Sequence, residues 1–155
     1  MRKIIFNSSN YTIMRKSFKW ILFFVFIFFL CNSKLFSQED KPHPIDAYLD
    51  SCMEKNPSTQ SMTNCTYEAE KMWDVELNKY YKLLMTVLDD DSKESLKSSE
   101  VEWIKFKEKE IIMIGNIYSK MEGTMYIPMR AFEIMDITKW RALQLKNYYD
   151  LITGN

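Results

Sequence analysis

CTYEAEKMWDVELNKYYKLLMTVL, residues 65–88, carries apolar side chains at Ala69, Trp73, Leu77, Tyr80, Leu84 and Leu88. Steps of three and four place these on one helical face. The charged residues Glu68, Glu70, Lys71, Asp74, Glu76, Lys79 and Lys82 fall largely on the other. No glycine or proline interrupts the run, which predicts a helix of about six turns or more. Such a stripe is not stable alone in water, so the remainder of the chain must supply helices to cover it.

Upstream, Ile45–Lys55 places Ile45, Tyr48, Leu49 and Cys52 at helical spacing, and Pro44 suits a first turn. Asn56-Pro57-Ser58 breaks this short helix, after which Thr59 or Ser61 is expected to cap the long one. Residues 38–44, QEDKPHP, read as a polar, extended tether. The single histidine, His43, is expected to be an exposed residue, with no second histidine to make a metal pair.

Downstream, Asp89-Asp90-Asp91 tests a calcium-loop reading, with Asp89, Asp91 and Glu100 at the first, third and twelfth positions. Lys93 at the fifth and Glu94 at the turning position defeat it. The segment reads instead as a turn, with Asp91 or Ser92 capping a third helix over about 93–121. Leu96, Trp103, Phe106, Met113, Ile117 and Met121 mark its expected buried side. The all-apolar Ile111–Ile114 is either enclosed or exposed at a contact surface. Gly123 is expected to end that helix. A last helix over about 129–152 has Phe132, Met135, Trp140, Leu143, Tyr148 and Leu151 as its expected core. With three glycines and four prolines in 155 residues, the class is all-α. The expected fold is a small antiparallel helical bundle of three long helices plus a short disulfide-pinned N-terminal helix, spanning residues 45–155.

The N-terminus reads as an export leader. Trp20–Leu30, WILFFVFIFFL, is an uncharged apolar run of 11 residues. That is short for a membrane span of about 20 residues and right for a signal-peptide core. Residues 1–37 form the expected signal peptide, with Met14 as a candidate true start and cleavage after Ser37 or Ser33. Membrane attachment would require lipidation at Cys31, whose preceding Phe29 and Leu30 fit that poorly, or an uncleaved leader. Export makes the chain periplasmic or secreted. In an exported chain Cys52 and Cys65, with 12 residues between them, read as one disulfide. Closing that loop is worth about 3 kcal/mol in the chain-entropy picture.

Charge and chemistry narrow the function classes. The full chain balances 21 basic against 21 acidic residues, but six of the basic ones lie in the leader, which has no acidic residue. The body is therefore left at a formal −6, which argues against nucleic acid and for a cationic protein partner. No nucleophile–base pair, phosphate-cradling glycine loop or metal-ligand cluster occurs, so no cofactor or metal is expected. Glu102, Glu108 and Glu110 are interleaved with lysines and read as surface charges rather than a glycosidase pair. The aromatic stripe Trp73, Tyr80, Trp103, Phe106 and Trp140 reads as core. The sequence thus points away from an enzyme.

Residues scattered along the body also form a pattern: Cys52, Met62-x-x-Cys65, Ala69, Trp73-Asp74-x-Glu76-Leu77-Asn78-x-x-Tyr81, Leu96-Lys97, Trp103-Ile104, Phe106, Thr138 and Arg141. In these the chain resembles the LprI-type lysozyme-inhibitor domain family of bacterial exported proteins. It departs at Glu100, where the family commonly has glutamine, and at Lys107-Glu108, which replaces an Arg-Asp pair. It also lacks a further cysteine pair seen in many members. The resemblance implies a helical domain that binds a protein, possible partners including a c-type lysozyme; the alternative is an envelope-associated interaction domain with another partner. Within the motif, Trp73, Leu77, Asn78, Tyr81, Trp103 and Phe106 are expected to be structural. Asp74 and Glu76 are candidate partner contacts. The first expectation for Asp74, Glu76 and Asn78 is nevertheless hydrogen bonding to neighbouring helices, with Asn78 the strongest structural candidate.

Overall fold

The structure, a computed structural model, describes residues 41–154. The expected leader, Cys31 and the first half of the tether lie outside the described residues. Pro42–Asn155 forms a compact unit. Four α-helices make it up: α1 (Pro44–Lys55), α2 (Thr59–Val87), α3 (Asp90–Tyr118) and α4 (Tyr126–Thr153). The described residues contain no strand. The all-α bundle with one short and three long helices is as expected.

α1 starts at Pro44, whose ring presets a helical φ where no N–H is needed. His43 is not a free surface residue. Its Nδ1 accepts a hydrogen bond from the Ile45 N–H at 3.3 Å, and its ring lies 4.4 Å from the Trp73 ring. It both caps α1 and covers the core tryptophan. Cys52 and Cys65 form the expected disulfide, joining α1 to α2 with their Cα atoms 5.9 Å apart. Tyr48 of α1 also donates to the Glu68 carboxylate of α2, and Lys139 of α4 pairs with Asp46 at 2.7 Å.

α2 is the spine. Ala69, Trp73, Leu77, Tyr80 and Leu84 are buried, and Leu88 is half-buried at the helix end. Its cap is Ser58 rather than Thr59 or Ser61. Ser58 holds the extended backbone a cap requires, and its Oγ accepts from the Ser61 N–H at 3.2 Å. In the same way Asp89, not Asp91 or Ser92, caps α3 by accepting from the Ser92 N–H at 2.8 Å. Hydrogen bonding from Ser92 holds the Asp89 carboxyl below its ordinary value. α3 ends at Tyr118, short of Gly123. Gly123 instead turns the link at φ 111°, in the region glycine favours.

Register shows how the helices run. Trp73 of α2 lies beside Lys139 of α4, and Tyr80 beside Lys146 and Tyr149 farther along, so α2 and α4 are parallel. On α3, Lys107 meets Thr138, whereas Glu100 meets Arg141, so α3 is antiparallel to α4. Short links thus give antiparallel neighbours in chain order. The core lies mainly between α2 and α4, closed at one side by Ile45 and Leu49 of α1.

α3 and α4 bury less than their sequences suggest. On α3 only Leu96 and Ile114 are buried, and Trp103 is half-buried. Phe106 (53 % exposed), Met113, Ile117 and Met121 were expected inside and are exposed. On α4, Met135 is buried and Phe132 and Leu143 are half-buried, but Trp140, Tyr148 and Leu151 are exposed. The cause is geometric. α3 rests chiefly on α4, and a helix with one main neighbour buries a narrower stripe than one enclosed by several. On α4 the buried stripe includes Ala131, Met135, Thr138, Arg141, Ala142 and Leu145, with Tyr149 packed against the Tyr80 end of the core, while Trp140, Tyr148 and Leu151 lie off it.

Candidate functional site

Two polar clusters set the position of α3. In one, Lys107 reaches from α3 to the Glu70 carboxylate of α2 at 3.2 Å and donates to the Thr138 hydroxyl of α4 at 2.7 Å. Thr138 is fully buried. In the other, buried Arg141 of α4 donates from Nε to Glu100 at 2.8 Å. It also bonds Ser99 at 2.8 Å and Gln144 at 2.6 Å. Charge-assisted bonds of this kind fix orientation because a buried guanidinium must satisfy several donors at once.

These clusters hold α3 beside α4 with an open groove of about 800 Å³ between them. Trp103, Phe106, Ile114 and Ile117 form one wall, and Ile137 and Trp140 the other. Trp140 is 68 % exposed. Glu110, Glu133 and Asp136 add carboxylates to the lining, and Arg141 is its one cation. Burial raises the Asp136 carboxyl above its ordinary value, opposed by nearby Lys139 and reinforced by Glu133 and Asp46. Burial, followed by the negative charge and hydrogen bonding of Glu133, likewise raises the Tyr118 hydroxyl. Chemically this is a binding surface: apolar and aromatic faces among carboxylates, with no imidazole or thiol in the lining. Among the described residues no cluster of three or more metal-ligating side chains occurs.

The residues singled out in the sequence fall in several places. Trp73 and Leu77 are buried in the α2 stripe, with Tyr81 half-buried beside them. Trp103 and Phe106 line the groove. Asp74 and Asn78 are exposed on α2, where Asn78 donates to the Asp74 carbonyl at 2.8 Å and to its carboxylate at 3.1 Å. Glu76 is half-buried and pairs with Lys79 at 2.7 Å. The hydrogen bonds of these three polar residues stay within α2. The polar ties that hold α3 to its neighbours come instead from Glu70, Ser99, Glu100 and Lys107, together with Thr138 and Arg141. Of the carboxylates considered for catalysis, Glu102 pairs with Lys105 in the open and Glu108 is exposed. Glu110 alone turns into the groove.

Thr138 and Arg141, the late matches to the motif, are thus the buried anchors of α3, and the helical stretch from Cys52 carries the rest. The family model for lysozyme inhibitor LprI matches residues 52–145, from the disulfide to the last buried leucine of α4. The chain belongs to the LprI family of lysozyme inhibitors. Glu100 and Lys107 sit at the interhelical clusters: a carboxylate faces Arg141, and a lysine bridges Glu70 and Thr138. None of the curated proteins matches the chain. Among solved structures, the fold is similar to an uncharacterized protein from Burkholderia thailandensis at 24% identity and a TM-score of 0.68. That match covers 74% of this chain and 57% of the other, so the chain spans a little over half of that protein's length.

Proposed function

We propose that this chain is an exported, non-catalytic inhibitor of a c-type lysozyme, engaging the enzyme through the acidic surface of its helices. The observation that carries this reading is membership of the lysozyme-inhibitor family across residues 52–145. Charge supports it. The body beyond residue 37 is formally −6, lysozymes of the common animal type are strongly basic, and opposite charge accelerates encounter. Asp74, exposed on α2, and Glu76, half-buried at the edge of its core stripe, contribute to that acidic surface. Export is supported by the basic, apolar leader and by the Cys52–Cys65 bond, which forms in oxidising compartments.

Sedimentation of residues 38–155 with a c-type lysozyme tests complex formation. A faster-sedimenting species at low salt that weakens as salt rises is expected, because exposed charge pairs are screened beyond about 8–10 Å at physiological ionic strength. Independent sedimentation of the two proteins at every salt concentration would contradict the reading.

A further inference from the structure

We infer that the groove between α3 and α4 is the docking site for a basic segment of the partner protein, seating a lysine or arginine side chain between Trp140 and Asp136 with an apolar neighbour on Phe106. The partner's identity rests on the inhibitor reading above.

Three observations carry the placement. First, large apolar side chains converge there without being covered: Phe106 and Trp140 face the groove from opposite helices, with Ile117 and Met121 farther along. Apolar surface concentrated in a concavity of this size, within the usual range of about 300–1,000 Å³, is characteristic of a binding site. Second, the charge is one-sided. Glu110 and Asp136 have no ion pair among the described residues, and the lining cation, Arg141, is already bound to Glu100. Arg130 packs against Gly115 and is not part of the lining. Third, Asp136 is partly removed from water without a contacting cation, so an incoming ammonium or guanidinium would relieve a cost already present. An exposed indole face adds cation–π attraction for that same group. The outer face of α2 differs: Asp74 and Glu76 already have partners in Asn78 and Lys79. Their place in this scheme is long-range steering.

The test is binding of residues 38–155 to an immobilised c-type lysozyme; the core of this body lies wholly within its compact unit. Trp140→Ala and Asp136→Asn are compared with the parent and with Glu54→Gln, an exposed change on α1. Each groove change is expected to weaken binding about tenfold or more, as truncating a binding hot spot does. Glu54→Gln should bind as the parent, and all variants should keep the parent circular dichroism. Binding indifferent to both groove changes would overturn the groove assignment while leaving the inhibitor reading standing. Absence of any complex would overturn both. Self-association of the parent that Trp140→Ala abolishes would also overturn the assignment, because a second copy would then cover the groove.

Discussion

Arg141 on α4 and Glu100 on α3 form a buried ion pair in which both Nε and Nη2 reach the same carboxylate oxygen, at 2.8 and 2.6 Å. α3 buries few apolar residues, so this pair and the Lys107 cluster determine where α3 lies. Removing one partner leaves the other charged, buried and unpaired. Arg141→Met is therefore expected to cost about 3–5 kcal/mol. Glu100→Gln keeps an accepting oxygen and should cost only about 1 kcal/mol. Urea denaturation followed by circular dichroism measures both. Equal losses would mean that the charge on Glu100, rather than its accepting oxygen, holds the pair, and would contradict this ranking.

The disulfide closes a short loop between α1 and α2. Replacing Cys52 and Cys65 together by alanine should lower stability by about 3 kcal/mol. Asp46–Lys139 and the buried Ile45 and Leu49 still hold α1, so helix content at low temperature should remain near the parent value. A loss of helicity greater than the 12 residues of α1 would show that the bond organises α2 as well.

Asp136 gives a pH dependence of defined sign. Burial raises its carboxyl above the ordinary aspartate value, so the folded chain holds a proton that the unfolded chain has released. Stability from this group falls as pH rises from the ordinary value through the raised one. Asp136→Asn removes that loss. The variant should gain stability relative to the parent as pH rises through this window and keep the gain at pH 7. Thermal melts of both proteins across the acid range measure it. A difference independent of pH would contradict this assignment.

Trp73 is fully buried, and its indole N–H has no hydrogen-bond partner among the described residues. Trp73→Ala should cost about 3–5 kcal/mol through the cavity it leaves between α2 and α4. Trp73→Phe loses less volume and also removes an unsatisfied donor, so it should retain most of the stability. Denaturant midpoints of the two variants test the contrast. Similar losses would mean that the N–H is satisfied in solution.

The parts of the fold legible in the sequence are those governed by local pattern. The α2 stripe is regular enough to be read from spacing, and Cys52 and Cys65 announce their bond once export is assumed. The caps Ser58 and Asp89 lie one to three residues before the expected ones, because Ser, Thr and Asp cluster at both helix starts and spacing alone cannot choose among adjacent capping residues. Trp140 and Phe106 read as core and are exposed. Aromatic residues at helical spacing read as core whether or not a neighbour covers them, and coverage depends on how few helices touch α3. The Lys107–Glu70–Thr138 and Arg141–Glu100 clusters are not legible in the sequence, because their members come from different helices. A faint signal existed: Thr138 and Arg141 are polar residues on the same helical stripe as Met135 and Leu145, where a surface helix would carry apolar ones.

The most direct measurement is lysis of a lysozyme-sensitive cell-wall suspension by a c-type lysozyme, with residues 38–155 titrated in at low and moderate salt. Inhibition should rise with dose, be stronger at low salt and vanish with the heat-unfolded protein. Undiminished lysis at large molar excess of the folded protein would contradict an inhibitor of this lysozyme class.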